Sequence, residues 1–146
     1  MPKNNRVTTS LSHSDIDTLL DGIYYNESRT GSIPLAYIPR PVTGELGGYQ
    51  IRPGTLDLVK QVYPEQFKNI NYLDLKDDSI GREVAKAYTL INKNTLIAKG
   101  FTPTDTLLLA SYNGGHGVFK KNTNIGAGLQ AYVDSATTYI NSKRSK

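Results

Sequence analysis

The sequence contains no cysteine and no tryptophan, and only three of its 146 residues are phenylalanine. Without cysteine the chain can form neither a disulfide bond nor a thiolate metal site. The two histidines, His13 and His116, lie far apart and show no paired spacing, so we expect no metal and no cofactor. No apolar run is long enough to span a bilayer, and no apolar leader stretch follows the first methionine. We therefore predict neither a membrane span nor a signal peptide.

The composition that remains is that of a folded domain with a basic surface. Hydrophobic residues make up 38% of the chain and charged residues 21%, which suits an ordinary core and argues against disorder. The net charge of +4 is scattered, and no nucleic-acid-binding motif accompanies it, so we expect no nucleic-acid partner. We predict a flexible segment at residues 1–13, one monomeric domain at 14–142 and a basic tail at 143–146.

Apolar spacing predicts a mainly α (α+β) fold. Ile16, Leu20, Ile23 and Glu27 recur at helical intervals, so they share one face of a helix that begins near Ser14. Glycine and proline recur through residues 29–50, which predicts a long irregular insert with one short strand at residues 35–38. Further helices are predicted at residues 55–63, 79–92, 102–113, where Thr102 is the expected N-cap, and 126–141.

Glu27 stands at the end of the apolar stripe, where a core residue would be expected. A carboxyl group in that position is either partly buried and able to donate a proton, or exposed just beyond the stripe. Periodicity alone leaves these two interpretations evenly matched.

Two glycine-rich segments are further candidates for a binding site. Residues 44–50 place glycines before Tyr49 and Gln50, where the backbone can approach a ligand and the Gln50 amide can both donate and accept. Residues 111–117 place Tyr112 and Asn113 at a helix end before a glycine-rich turn. A plain turn and a helix C-cap are the simpler interpretations of these two segments.

In this order and at these separations, the segments resemble the soluble lytic transglycosylase family, whose fold is lysozyme-like. The resemblance covers about residues 15–140. Four features of the family correspond to Glu27-Ser28 at a helix end, residues 44–50 followed by Pro53 and Thr55, residues 111–117 with Tyr112-Asn113, and Tyr132-Val133. The sequence departs from the family at Glu45, where Ala is usual, and at Gly48-Tyr49, where Leu-Met is usual.

The resemblance implies a lysozyme-like fold with the irregular insert after the catalytic helix, and the activity of a peptidoglycan lytic transglycosylase. Glu27 would be the single general acid/base that cleaves the MurNAc-β-1,4-GlcNAc bond and leaves 1,6-anhydro-MurNAc. The substrate-binding residues implied in this way are Ser28, Tyr49, Gln50, Tyr112, Asn113 and Tyr132. The implied partner is the glycan strand of the periplasmic cell wall, and the missing leader favours a phage endolysin or a virion-associated entry enzyme.

Two alternatives stay open at this point. Glu45, if it faces the cleft opposite Glu27, would be a second carboxylate that activates water, and the enzyme would be a hydrolytic muramidase. A solvated or loop-stabilising Glu45 is the simpler interpretation, because exposed carboxylates are the rule. The other alternative is a non-catalytic glycan-binding component of a virion.

Overall fold

The structure is a computed structural model that describes residues 13–115 and 126–144. Its helices are α1 His13–Ser28, a 3-10 helix at Pro34–Tyr37, α2 Pro53–Val62, α3 Pro64–Phe67, a second 3-10 helix at Tyr72–Lys76, α4 Asp78–Ala98, α5 Asp105–Gly114 and α6 Gly126–Arg144. Within the described ranges, β pairing is limited to one antiparallel bridge between Leu46 and Ile51. The mainly helical prediction is confirmed.

Some predicted features fall outside the described residues. They are residues 1–12 of the N-terminal segment, His116 and Gly117 of the glycine-rich motif, and the last two residues of the basic tail. The other half of that tail belongs to α6, where the Lys143 ammonium lies 5.4 Å from the centre of the Tyr139 ring.

The described chain divides into two compact units. The central unit is Ile23–Tyr88, and the terminal unit consists of the described parts of Met1–Gly22 and Thr89–Lys146. In the terminal unit, a Cβ atom on Gly22 of α1 would lie 2.8 Å from the Ile140 side chain of α6. In the same way, a Cβ atom on Gly114 of α5 would lie 3.0 Å from Leu129 of α6. Small residues thus allow both helices to approach α6 closely.

The central unit is built around the turns that connect its short helices. Pro53 and Pro64 stand at the first positions of α2 and α3, where the missing N–H of proline costs nothing. The buried side chains of this unit come from every element and from the loop between the first 3-10 helix and α2, and they include Ala36, Leu46, Ile51, Val59, Phe67, Leu75 and Val84. The long insert after α1 is therefore fastened to the core at several points.

The strand predicted at residues 35–38 is wrong, because this segment forms the 3-10 helix Pro34–Tyr37. Its turn is closed by the N–H of Ile38, which donates to the carbonyl of Leu35 at 3.2 Å. Only Ala36 is buried in this helix, whereas Leu35 is 70% exposed. Pro34 favours a helical first turn, and it has no N–H to donate to a strand ladder. These two properties outweigh the β propensity of the flanking Ile33 and Ile38.

The predicted N-cap of α5 is also wrong, by two residues. The side chain of Thr104, rather than that of Thr102, accepts a hydrogen bond from the N–H of Leu107 at 3.2 Å. Both threonines are suitable caps. The start of the helix is set by packing, because the run of buried residues begins at Leu107, in the first turn after Thr104. Helix α4 runs on beyond the predicted end at Asn92 to Ala98, and it buries Leu96 completely.

The position of this cap generates a test. Thr104→Ala removes the side-chain acceptor of the Leu107 N–H, and we expect it to lower the free energy of unfolding by about 1 kcal/mol. Thr102→Ala is the matched control, and its effect should be within about 0.5 kcal/mol of zero. Urea denaturation of both variants measures the difference, and equal effects would place the cap elsewhere.

Candidate functional site

Glu27 lies in the last turn of α1, in line with a buried apolar stripe. Ile16, Leu20 and Ile23 of this stripe are each no more than 1% exposed, and Glu27, one turn after Ile23, is half-buried. The stripe therefore does not end at Ile23, and the side chain of Glu27 is partly enclosed by the protein rather than fully exposed to water.

A strained turn follows Glu27. Arg29, Thr30 and Gly31 have φ values of 52°, 57° and 84°, so three successive residues adopt the left-handed conformation. This conformation is costly for a β-branched residue such as threonine and persists only where neighbouring interactions hold it. Ser28 provides such an interaction, because its hydroxyl accepts from the N–H of Gly31 at 2.9 Å and donates to the carbonyl of Tyr24 at 3.2 Å.

Ser28 is completely buried, with 0% exposure. The hydroxyl is therefore engaged inside the turn and is not presented to a ligand, in contrast to the predicted substrate contact. Its role is to fix the chain direction immediately after Glu27.

The glycine-rich segment forms a tight loop closed by the Leu46–Ile51 bridge. The N–H of Gly47 donates to the carbonyl of Ala36 at 2.6 Å, and the Gln50 amide nitrogen donates to the carbonyls of Ala36 and Gly47 at 3.0 and 2.9 Å. Gln50 is itself left-handed, with a φ of 48°. Because its side-chain N–H groups donate to these two carbonyls, the Gln50 amide can meet a ligand only through its oxygen, as an acceptor.

The glycines of this loop approach the protein itself. A Cβ atom on Gly47 would lie 2.1 Å from the carbonyl oxygen of Leu75, and one on Gly48 would lie 2.5 Å from the Tyr24 ring. These two glycines therefore allow close packing against internal groups of the protein, whereas the sequence suggested an approach of the backbone to a ligand.

Tyr49 is an internal side chain as well. It is 2% exposed, and its ring stacks on that of Tyr24 with centroids 4.7 Å apart and an interplanar angle of 11°. Its hydroxyl accepts a hydrogen bond from the guanidinium of Arg82 at 3.1 Å. The structure thus gives Tyr49 a packing role beneath the loop, which differs from the predicted contact with glycan.

Asp78, the first residue of α4, joins three segments of the central unit, and the sequence did not single it out. One of its carboxylate oxygens accepts from the hydroxyls of Tyr24 at 2.7 Å and Tyr37 at 2.6 Å, and the other accepts from the N–H of Gly48 at 3.1 Å. Burial and the hydrogen bond to Asp78 raise the pKa of Tyr24 to about 12, and the same causes raise the pKa of Tyr37. Both phenols therefore stay protonated and act as donors at neutral pH.

Glu45 is held by its own loop. Its carboxylate accepts hydrogen bonds from the Thr43 hydroxyl and from the Arg52 guanidinium, the latter at 3.0 Å. Burial raises the pKa of Glu45, but the hydrogen bond from Thr43, a backbone N–H and the charge of Arg52 outweigh burial and hold the pKa below its ordinary value. This arrangement matches the loop-stabilising interpretation of Glu45.

The remaining predicted residues lie in the terminal unit. Tyr112 on α5 is 9% exposed, Asn113 next to it is exposed, and Tyr132 on α6 is half-buried. The N–H of Gly115, whose φ is 77°, donates to the carbonyl of Ser111 at 2.8 Å and ends the helix. Glu27, Ser28, Glu45, Tyr49 and Gln50 belong to the central unit, so the candidate residues form two groups.

No protein-family model, no curated protein and no solved structure matches this chain. In the part of the chain that the structure describes, no helix combines the length and the apolar character needed to cross a membrane. Among the same residues, no three histidine or acidic side chains are grouped as metal ligands would be.

The ion pair of Glu45 predicts a pH-dependent stability. Because the pKa of Glu45 is lowered in the folded chain, its contribution is complete above the unfolded value, near 4.5, and is lost as the pH falls through the folded value. We expect Glu45→Gln to be less stable than the parent chain at about pH 7, by no more than about 1 kcal/mol for a partly exposed pair. The gap should shrink as the pH approaches about 3.

Urea denaturation across this pH range measures the gap, and Arg52→Gln with the double variant completes a thermodynamic cycle. A coupling energy between the two substitutions that is the same at both ends of the pH range would contradict the role given to the Glu45 carboxylate.

The backbone geometry of the loop predicts the effect of two glycine substitutions. Gly47→Ala introduces a Cβ atom against the Leu75 carbonyl at a φ of 89°, and we expect it to cost about 2 kcal/mol or more. Gly54→Ala places a Cβ atom in open space in the first turn of α2, so it should be neutral or stabilising by up to about 1 kcal/mol. Thermal melting of the two variants compares them directly, and equal shifts would be inconsistent with this geometry.

Proposed function

We propose that this chain is a peptidoglycan lytic transglycosylase in which Glu27 is the single general acid/base. The placement of Glu27 carries the proposal. Glu27 is half-buried, lies in line with a stripe of buried residues and precedes a turn of three left-handed residues. Backbone strain of this kind gathers at functional sites, where the surrounding structure holds it in place. A partly enclosed carboxyl is also the group that can give and then recover a proton.

In the proposed reaction, Glu27 donates its proton to the glycosidic oxygen between MurNAc and GlcNAc. As the bond from C1 to that oxygen breaks, the acetamido oxygen of the muramyl residue stabilises the positive charge at C1. The Glu27 carboxylate then takes the proton of the muramyl C6 hydroxyl, whose oxygen forms the new bond to C1. The products are a GlcNAc hydroxyl and a 1,6-anhydro ring, Glu27 regains its proton, and no water is consumed.

Gln50 supports the proposal through the direction of its amide. Its nitrogen is fixed to Ala36 and Gly47, so its oxygen is available to accept from a sugar hydroxyl or from an acetamido N–H. The left-handed backbone of Gln50 is a second strained position beside a proposed ligand group. The sequence resemblance separately implies substrate contacts for Tyr112, Asn113 and Tyr132, which belong to the terminal unit.

The surroundings of Glu45 favour one carboxyl group over two. A general base works best when its pKa lies near the working pH. The carboxylate of Glu45 is tied to Thr43 and Arg52, and its pKa is lowered, so it is a weak base for activating water. This favours attack by the sugar's own hydroxyl over hydrolysis by a Glu27–Glu45 pair.

Three glutamate substitutions test this assignment. Glu27→Gln keeps the side-chain shape but cannot transfer the proton, so the rate of muropeptide release from purified sacculi should fall about 10²- to 10⁴-fold. Glu65→Gln on α3 is the matched control on an exposed side chain and should keep the parental rate. Glu45→Gln should also keep the parental rate, measured at a temperature where all variants are folded.

Each other result has a defined meaning. Parental activity in Glu27→Gln would refute the assignment of the acid/base. An inactive but folded Glu45→Gln would favour the two-carboxylate muramidase. Sacculus binding by the parent chain without any released muropeptide would favour the non-catalytic binding component.

A further inference from the structure

The Asp78 carboxylate bonds to three segments: the helix of Glu27, the first 3-10 helix, and the loop of Gln50, which is the turn closed by Leu46 and Ile51. Its three partners are separated from it by 54, 41 and 30 positions in the sequence. Such long-range bonds do not form within any single element, so they fix the three segments relative to one another. Hydrogen bonds to an ionised carboxylate are also shorter and stronger than bonds between neutral groups.

Two of the three partners of Asp78 are close in the chain to a proposed site residue. Tyr24 lies one helical turn before Glu27, and its carbonyl accepts from the Ser28 hydroxyl and from the N–H of Thr30. Gly48 lies two residues before Gln50. The contact is also tight, since a Cβ atom on Gly48 would lie 2.6 Å from the Asp78 carboxylate.

Helix α4 carries Asp78 and also contacts the loop of Gln50 at a second point, Tyr49. The Tyr49 ring lies 3.3 Å from the position of a Cβ atom on Gly81, and Arg82 donates to the Tyr49 hydroxyl. Asp78 is the first residue of the same helix, where the helix dipole favours a negative charge. The loop of Gln50 is therefore held to α4 on both sides, by packing at Tyr49 and by the carboxylate at Gly48.

We propose that Asp78 is a positioning residue that sets the relative placement of Glu27 and Gln50 by binding Tyr24, Tyr37 and Gly48 at once. Asp78 does not touch substrate in this role, because its oxygens are occupied by these three donors. The effect on catalysis rests on the proposed function, whereas the effect on the loop does not. Removing its charge leaves the helices in place and loosens the loop of Gln50 relative to the last turn of α1.

The test compares Asp78→Asn with Asp77→Asn, the same substitution one residue earlier. Asp77 is exposed, and its carboxylate accepts hydrogen bonds from Ser79 and from the backbone N–H of Ile80 at the start of α4. Asparagine can replace it there as a helix cap. In Asp78→Asn we expect the amide hydrogen of Gly48 to exchange about tenfold faster or more, because a charge-assisted bond is lost. Exchange in Asp77→Asn should match the parent chain.

Activity on soluble glycan strands gives the second measurement. A displaced acid/base group reduces turnover more than binding, so kcat of Asp78→Asn should fall about 10- to 100-fold while KM changes much less. Asp77→Asn should keep both parameters. All assays are run well below the melting temperature of each variant, so that a loss of folding does not imitate a loss of positioning.

A second pair of variants, with smaller changes to the network, tests the same role if Asp78→Asn does not fold. Tyr37→Phe removes one donor from the carboxylate and keeps the ring, and Tyr63→Phe makes the same change on α3's N-terminal side, outside this network. Tyr37→Phe should speed exchange at Gly48 and lower kcat, each by a smaller factor than Asp78→Asn, and Tyr63→Phe should do neither.

Unchanged exchange at Gly48 in Asp78→Asn overturns the positioning role, whatever the activity. Faster exchange with a parental kcat also overturns it, because the loop would then be free to move without consequence for catalysis. A parent chain that releases no muropeptide, combined with faster exchange in Asp78→Asn, contradicts the proposed function and still supports the positioning of the loop.

Discussion

The central unit depends on one carboxylate. Asp78 accepts hydrogen bonds from two phenols and one backbone N–H that belong to three different segments, and it does so from the start of a long helix. A partly buried donor without an acceptor would lose the hydrogen bond that it makes with water in the unfolded chain, and this loss would destabilise the fold. Because Asp78 is the acceptor for all three donors, the three segments are more stable together than separately. The irregular insert after α1 can therefore keep a defined shape although it contains no strand ladder between residues 29 and 52 beyond one bridge.

Most of the strained backbone positions lie close in the chain to the partners of Asp78. Of the four non-glycine residues with positive φ in the described chain, Arg29 and Thr30 directly follow Glu27-Ser28, and Gln50 is itself a proposed ligand group; Val42 is the fourth, at an exposed position. The bonds of Ser28, Ala36 and Asp78 restrain these positions on both sides. Strain that is held in this way places side chains at fixed angles, which an acid/base group and its binding partner require.

Periodicity predicted the helices well because their burial repeats every three to four residues, as the stripe from Ile16 to Ile23 shows. It failed where local chemistry allows two solutions. Thr102 and Thr104 are both suitable caps, and Pro34 starts a 3-10 helix in a segment flanked by two isoleucines. Short motifs in the sequence were enough to single out Glu27 and Gln50. They could not single out Asp78, because its three partners are distant in sequence and an acidic residue at a helix start already has an ordinary local explanation.

Ser28 and Tyr49 are buried, and the Glu45 carboxylate is paired with Arg52. The proposed chemistry of the central unit therefore uses two residues, Glu27 as the acid/base and Gln50 as a hydrogen-bond acceptor. The measurement that tests this most directly is mass spectrometry of the muropeptides that the parent chain releases from purified sacculi. A single-carboxyl transglycosylase yields fragments that end in 1,6-anhydro-MurNAc and are lighter by one water than hydrolysis products. Fragments that end in reducing MurNAc, or no released fragments at all, would contradict the account.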